Sequence, residues 1–273
     1  MLILAATPIG NLSDASARLT EHLTNAKYIA AEDTRNLLKL AQSLNIKLSA
    51  KLLSLHEHNE SDRISEILSI ADTEDVLVVS DAGMPTISDP GFVLVRAAVN
   101  AGITVTVIPG PSAVISALAV SGLPTDRFSF EGFIPRKSGE REKFFKALAN
   151  ETRTMIFFES AHRVGESLRT AAAILGPRQA SVSRELTKKF EETVRGTLSE
   201  LADWANVEPK GELVICIAGN TSDKAVDLSE LIEIVEALRT SGNSLKDAVA
   251  KVAELAGVSK SELYDQTIAS RAE

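Results

Sequence analysis

The chain has 273 residues, of which 44% are apolar and 24% charged, as in an ordinary globular protein of one or two domains. Its net charge of −8 argues against strong nonspecific nucleic-acid binding, and the lack of an eighteen-residue apolar run argues against a membrane span. The single cysteine, Cys216, excludes an intrachain disulfide, and the cysteine and four histidines show no metal-ligand spacing. We therefore expect a cytoplasmic protein without a metal site.

Apolar runs and helical patterns alternate over residues 1–123. The expected strands lie in LILAAT, YIAAE, LLSL, VLVVSD and TVTVIPG, and the first of these has no basic leader that would indicate a signal peptide. The alternation predicts an N-terminal α/β domain with a mostly parallel sheet. Short Val/Ile/Leu runs are typical of strands buried on both faces.

A segment rich in Gly, Pro and aromatic residues interrupts this alternation near residues 123–126. Beyond it we predict a second α/β domain over residues 124–220, with strands in RFSFEGF, TRTMIFFES, QASVSREL, EETVRGTL and ELVICIAG. EETVRGTL follows SREL closely, which favours antiparallel pairing and a mixed sheet.

Residues 228–273 are predicted to form a small helical C-terminal extension. Ser244 and Ser259 stand at N-cap positions, and Gly242 and Gly257 stand where helices should end. The extension is either a packing appendage or a helix-turn-helix-like contact to nucleic acid.

The loops that follow the first five strands contain the candidate ligand site, because open parallel sheets bind ligands beyond the carboxyl ends of their strands. Gly10, Gly83 and Gly110 follow three different strands, and glycine permits close approach of the backbone to a ligand. Asp89 precedes Pro90 and is predicted to cap the next helix, and Asp33 is a second candidate cap.

Several nucleotide and hydrolase motifs are missing from the sequence. It contains no G-x-G-x-x-G, no G-x-x-x-x-G-K-[ST] and no G-x-S-x-G. A ligand without phosphate, held by backbone groups and one carboxylate, fits these loops better. S-adenosylmethionine is such a ligand.

A series of motifs resembles the tetrapyrrole-methylase superfamily and, within it, the RsmI-type ribosomal RNA methyltransferases. They are TPIGNLSD, AAEDTR, VSDAGMPTISDPG, VIPGPSA, FEGFIPR, FFESAHR, SRELTKKFEETVRGTLSEL and GELVICIAG. The resemblance covers about residues 1–219 in order, and the helical extension also resembles that group. Ala161 departs from the family pattern, which usually has proline there.

The resemblance implies two α/β domains with S-adenosylmethionine in the cleft between them, and a homodimer. It implies 2′-O-methylation of a decoding-centre cytidine (cytidine 1402) in 16S rRNA of the small ribosomal subunit. Matching motifs place the cofactor contacts, with Asp81 as the polar anchor, at Ile9, Gly10, Asp81, Gly83, Met84, Ser112, Ala113 and Phe158.

A ribose hydroxyl is a weak acid, so its methylation should be assisted by a base. The candidates are Asp33, His56 and Glu159, although Asp33 and Arg35 are equally well explained as a structural ion pair. The candidates for RNA phosphate contact are Arg35, Arg136, Lys137 and Arg184. Residues 127–195, with 14 basic and 9 acidic side chains, carry a net charge of +5 and form either a solvated face or an RNA-facing surface.

Two other functions are compatible with the resemblance to this superfamily. One is methylation of a small tetrapyrrole, which the basic stretch IPRKSGEREK and the helical extension disfavour. The other is non-enzymatic sensing of S-adenosylmethionine, which predicts a bound cofactor without an opening beside its methyl group.

Overall fold

The structure, a computed structural model, describes residues 1–56, 58–207, 209–220, 228–256 and 258–270. The chain forms two compact units, Met1–Gly219 and Asn220–Glu273. The first unit contains two five-stranded sheets, and the described part of the second unit is helical.

The first sheet is parallel throughout, in the order β3-β2-β4-β1-β5. Its strands are β1 (Leu2–Ala5), β2 (Tyr28–Ala31), β3 (Lys51–Ser54), β4 (Val76–Val79) and β5 (Val105–Ile108). The central strand β4 reads VLVV and is buried along its whole length. The predicted parallel sheet is therefore confirmed.

Helices cover both faces of this sheet over two separate apolar cores. They are α1 (Ala17–Asn25), α2 (Thr34–Ser43), α3 (Glu60–Thr73) and α4 (Phe92–Asn100), and a 3₁₀ turn spans Leu12–Asp14. Asp33 caps α2 by accepting a hydrogen bond from the Arg35 backbone at 2.8 Å, as predicted.

The fifth helix, α5 (Ala113–Ser121), packs on the second sheet. Its buried residues Val114, Ala117 and Leu118 share an apolar cluster with Ile156 and Val214 of that sheet. The domain boundary near residue 123 stays a prediction. The helix α5 comes before this boundary in sequence, but it packs against the sheet that comes after it.

The second sheet is mixed, in the order β6-β7-β10-β8-β9, with β6 parallel to β7 and the other pairs antiparallel. Its strands are β6 (Phe128–Phe133), β7 (Thr154–Ser160), β8 (Gln179–Arg184), β9 (Glu192–Thr197) and β10 (Glu212–Ile217). The predicted mixed sheet and the β8–β9 pairing are confirmed. Cys216 lies fully buried in β10.

Three helices pack on this sheet, namely α6 (Ser138–Ala147), α7 (Val164–Leu175) and α8 (Leu198–Trp204). The short helix α8 was not predicted from the sequence. Its signal is a capping box, in which Thr197 and Glu200 each accept a hydrogen bond from the other's backbone.

The second unit contains α9 (Leu228–Thr240), α10 (Leu245–Ala256) and α11 (Lys260–Ala269) around a small core that includes Val235 and Leu263. Ser244 and Ser259 accept the capping hydrogen bonds predicted for them. Gly242 follows α9 with φ +101°, whereas Gly257 lies outside the described residues. Across the described parts of both units, every helix is too short or too polar to cross a membrane.

The start of α4 differs from the prediction that Asp89 caps it. Gly91 occupies the cap position with φ +120°. The Glu60 carboxylate, from a residue only 7% exposed, accepts hydrogen bonds from Gly91 N at 3.1 Å and Leu94 N at 2.9 Å. A carboxylate from α3 thus satisfies the free N–H groups of α4, and the cap role predicted for Asp89 is wrong.

Replacing Glu60 with alanine should lower the free energy of unfolding by about 1–3 kcal/mol, because buried N–H groups would lose a charged acceptor. Glu66→Ala in the same helix is the matched control, since Glu66 pairs with Arg63 near the surface. That control should cost less than about 1 kcal/mol in urea unfolding. Equal losses in the two variants would contradict this role of Glu60.

Candidate active site

A cavity of about 350 Å³ lies where the carboxyl ends of β1, β4 and β5 face the second sheet. This volume falls in the range of small-molecule sites. Six of the eight predicted cofactor residues line it, namely Ile9, Gly83, Met84, Ser112, Ala113 and Phe158. The structure therefore brings together motifs that are far apart in sequence, and their contact with a cofactor stays a prediction.

Gly83 joins the loops that follow β1 and β4. Its backbone exchanges two hydrogen bonds with Thr7, of 2.9 and 3.1 Å. Its φ of +81° favours glycine, and an added Cβ would lie 3.3 Å from Ile9 Cγ2. This glycine therefore fixes the distance between two loops of the cavity wall.

Gly10 lies beside the cavity and is not among the residues that line it. An added Cβ would lie 2.5 Å from Lys188 Cγ and 3.1 Å from the Leu186 carbonyl oxygen. The next residue, Asn11, donates its backbone N–H to Thr187 Oγ1 at 3.1 Å. Gly10 thus permits the loop after β8 to approach the loop after β1.

Asp81 is exposed and ties the end of β4 to the start of α2. Its carboxylate accepts hydrogen bonds from Asn36 Nδ2 at 2.8 Å and from Asp33 N at 3.2 Å, and its own N–H donates to Glu32. Asp81 is not among the residues that line the cavity. Its role as cofactor anchor stays a prediction.

Asp33 and Arg35 form an ion pair at the start of α2, with 2.6 Å between Arg35 Nη2 and Asp33 Oδ2, and neither residue lines the cavity. Hydrogen bonds from the Arg35 side chain hold the pKa of the Asp33 carboxyl well below its usual range. Such a carboxylate is a weak base. The structure therefore favours the ion-pair alternative over a catalytic role for Asp33 or a free phosphate contact for Arg35.

His56 follows β3, which is the edge strand, so β2 lies between it and β4. Its ring centroid is 6.1 Å from that of His58. Its Nδ1 atom is buried and has no hydrogen-bond partner among the described residues. The cavity lining does not include His56.

Glu159 lines the cavity, but its side chain is 0% exposed and its carboxylate is fully engaged. It forms an ion pair with Arg163 and accepts hydrogen bonds from Ser167 Oγ at 2.5 Å and Ser160 N at 2.7 Å. Ala161, in place of the family proline, is partly buried in the same turn between β7 and α7. This arrangement favours a structural role for Glu159 over a role as the catalytic base.

Three of the four cationic residues predicted to contact RNA lie on the second sheet and its loops, whereas Arg35 lies in α2 on the first sheet. Arg136 is exposed, Lys137 is exposed and pairs with Glu140, and Arg184 pairs with Glu192 at 2.7 Å. Phe133 comes shortly before the first two, lines the cavity and is 59% exposed. An exposed aromatic ring of the cavity wall is thus followed, three and four residues later, by two exposed cations.

Asp89, which was predicted to cap α4, is a functional candidate in the structure. It is half-buried and lines the cavity. Burial, followed by the negative charges of Glu32 and Asp81, raises its pKa from 3.8 to about 6, against a hydrogen bond from Ser80 that lowers it. Perturbed carboxyls in cavities are typical of functional sites. In the described residues, no cluster of His, Cys, Asp or Glu is arranged for a metal ion.

Comparison with solved structures identifies the fold. The methyltransferase CobJ superposes with a TM-score of 0.60 at 19% identity, over 80% of this chain and 94% of that protein. Diphthine synthase superposes with a TM-score of 0.59 at 12% identity, over 80% and 89% of the two chains. These two superpositions show that the two-sheet fold of residues 1–219 is one that solved structures already contain.

The family profile described as Tetrapyrrole (Corrin/Porphyrin) Methylases matches residues 1–202, and the chain belongs to this family. This confirms the resemblance found in the sequence and the prediction of a methyltransferase.

Curated relatives extend the similarity over the whole chain. The protein called Ribosomal RNA small subunit methyltransferase I of Mycobacterium tuberculosis (strain CDC 1551 / Oshkosh) is 47% identical over 100% of this chain and 96% of its own. Proteins of the same name from Xylella fastidiosa and Escherichia coli O157:H7 are 46% and 41% identical, each over 96% of this chain and over 97% and 93% of their own.

Replacing Arg163 with alanine should lower the free energy of unfolding by about 3–5 kcal/mol, because the buried Glu159 carboxylate would lose its counter-ion. Arg153→Ala is the control, since Arg153 pairs with Glu151 in a more exposed site. It should cost less than about 1 kcal/mol. Denaturant unfolding checks both values, and a small loss at Arg163 would contradict the structural role of Glu159.

Proposed function

We propose that this protein transfers a methyl group from S-adenosylmethionine to the 2′-hydroxyl of a cytidine in 16S rRNA of the small ribosomal subunit. The cytidine is the decoding-centre residue numbered 1402. The observation that carries the proposal is the cavity between the two sheets, whose walls come from the motifs that resemble the ribosomal RNA methyltransferases. Full-length relatives with that name support the choice of substrate.

The cavity suits a cofactor that has apolar and polar parts and no phosphate. Apolar side chains such as Ile9, Val114 and Leu186 line it together with Ser112 and several backbone segments. No lysine or arginine occurs among the described residues that line it. A related fold, uroporphyrin-III C-methyl transferase from Thermus thermophilus, is known as a complex with S-adenyl homocysteine. Its TM-score is 0.52 at 16% identity, over 80% of this chain and 96% of that protein, which supports the fold alone.

The chain's main contribution to methyl transfer is orientation. S-adenosylmethionine supplies a methyl group already activated by its sulfonium. The Gly83 and Ser112 loops would fix the cofactor from the first sheet, and Phe158 would face it from the second. Correct alignment of two reactants contributes about 7–11 kcal/mol to lowering a barrier.

The cavity rim provides a surface for unstacked RNA. Single-stranded bases commonly stack on exposed aromatic rings, and their phosphates pair with nearby cations. Phe133 is held edge-to-face against Phe158, with ring centroids 5.4 Å apart, and Arg136 and Lys137 follow it in sequence. We assign Phe133 to base stacking and the two cations to phosphate contact, within the +5 segment of residues 127–195.

The proposal includes a homodimer in the cytoplasm. It is supported by exposed apolar side chains on and next to the edge strand β5, namely Phe92, Val99, Val107 and Ile115, which are 45–62% exposed. Exposed apolar side chains at the edge of a sheet can be covered by a second copy of the chain.

Purified protein should label small ribosomal subunits that lack the mark when it is given methyl-labelled S-adenosylmethionine. Nucleoside mass spectrometry should place the label on the ribose of one cytidine. Ala113→Leu should abolish labelling and S-adenosylhomocysteine binding, because the larger side chain fills the cavity. Unlabelled subunits, or label on a base, would contradict the proposal, and label on a tetrapyrrole would establish the alternative.

Charge reversal at Arg136 and Lys137 together should weaken binding to small subunits at least tenfold and leave S-adenosylhomocysteine binding unchanged. Each lost phosphate contact should reduce the slope of log affinity against log salt by about 0.7–0.9. Lys47→Glu with Lys51→Glu is the matched control, because these exposed lysines lie at the amino end of β3. Equal effects of both pairs would exclude a specific role of the rim.

A further inference from the structure

Three ionisable side chains line the cavity, and two of them have a cationic partner. Glu159 pairs with Arg163, and Glu212 pairs with Lys188 at 2.9 Å. Asp89 has no cationic partner among the described residues. A carboxylate that lines the cavity without a counter-ion can accept a proton from a bound substrate.

We propose that Asp89 is the catalytic residue that accepts the proton of the substrate hydroxyl during methyl transfer. This assignment rests on the proposed function and replaces Asp33, His56 and Glu159 as candidate base. It follows from the position of Asp89 in the cavity wall and from the contacts of the loop that holds it there.

The loop after β4 is bent so that Asp89 reaches the cavity. Thr86 and Ser88 have φ values of +77° and +63°, and Gly91 has +120°. Positive φ is costly for a β-branched residue and is found mostly where structure around it enforces it. Thr86 N donates to the Pro90 carbonyl at 3.3 Å, which closes the loop around Asp89.

Glu60 leaves Asp89 free for this position. An aspartate before Pro-Gly at the start of a helix would ordinarily accept hydrogen bonds from the first N–H groups of that helix. Here Glu60 accepts both of the hydrogen bonds from the start of α4. The Asp89 carboxylate therefore keeps its capacity to accept a proton.

The electrostatic surroundings of Asp89 make it a stronger base than an ordinary aspartate. Burial is the largest cause of its raised pKa, and the negative charges of Glu32 at the end of β2 and Asp81 at the end of β4 raise the pKa further. Glu60 of α3 accepts hydrogen bonds from Gly91 and Leu94, and the Ser80 hydroxyl is a neutral hydrogen-bond partner of Asp89. Glu159 and Glu212 line the same cavity from the second sheet, and each is paired with a cation. A base whose pKa is near the working pH is effective in proton transfer.

The proposed step transfers one methyl group to the substrate hydroxyl and releases one proton. The hydroxyl oxygen forms a bond to the methyl carbon, and the carbon–sulfur bond breaks with its electron pair going to sulfur. The hydroxyl proton passes to the Asp89 carboxylate and then to water. The products are the ribose methyl ether, S-adenosylhomocysteine and one proton.

Asp89→Asn tests the assignment in kinetics over pH 5–9 with small subunits as substrate. In the unmodified protein, kcat should fall below pH 6 as Asp89 becomes protonated. Asp89→Asn should lower kcat by about 10²–10⁴-fold and remove this acid limb, while KM and S-adenosylhomocysteine affinity stay within about threefold. Asp203→Asn, on the exposed side of α8, is the control and should behave like the unmodified protein.

Thermal unfolding separates a catalytic from a structural role. Because the folded pKa of Asp89 lies above the ordinary value of 3.8, its ionisation reduces stability as pH rises from about 4 to about 6. Asp89→Asn should therefore have a Tm at pH 8 equal to or higher than that of the unmodified protein. A lower Tm at pH 8 together with weaker S-adenosylhomocysteine binding would overturn the proposal, as would an unchanged kcat.

The two proposals fail in different ways. If the unmodified protein transfers no methyl group to small subunits, the proposed function is wrong. If it does, and Asp89→Asn is equally active with the same acid limb, only the assignment of Asp89 is wrong.

Discussion

Burial of the apolar face of α5 against the second sheet is the contact on which the cavity depends. The helix begins directly after the loop that follows β5, so the first sheet is attached to the second through a rigid element. Val114 and Leu118 are buried in this contact, and burying such side chains stabilises a fold by about 1.5–3 kcal/mol each. The carboxyl ends of β1, β4 and β5 therefore face a fixed surface.

The carboxylates around the cavity differ because their partners differ. Arg35 and Arg163 engage Asp33 and Glu159, and these two acids hold backbone in place. Burial opposes the ionisation of Asp89 most strongly, and the negative charges of Glu32 and Asp81 oppose it further. Asp33 and Glu159 thus each have an arginine partner, and Asp89 has no cationic partner among the described residues.

The sequence allowed the two sheets to be predicted because strands such as β1, β4, β7 and β10 are short apolar runs buried along most of their length, and hydrophobicity is a local signal. The carboxyl ends of β1, β4 and β5 could also be predicted, because the apolar run of each strand stops there. The α8 helix was missed because its seven residues follow directly on the β9 pattern, so the capping box at Thr197 was hidden in a predicted strand.

The roles of individual site residues depended on contacts between distant parts of the chain. Asp89 looks like a cap locally, and only the structure shows Glu60, 31 residues before Gly91, in that role. Glycine is needed at position 10 because the loop after β8 approaches its backbone closely. In the same contact, Asn11 donates a hydrogen bond to Thr187, which lies 176 residues further along the chain. By contrast, Asp33 and Arg35 are two residues apart, and their ion pair was a local alternative that the sequence already offered.

The burial of Cys216 has a practical consequence for studying this protein. It lies in the cluster beneath α5, and burial raises the pKa of its thiol to about 12. Because the thiolate is the reactive form, this sulfur should be inert both to an alkylating cofactor and to maleimide reagents while the protein is folded. A cysteine introduced at an exposed position would then be the one reactive thiol, so a fluorophore or spin label could be attached there without first removing the native residue.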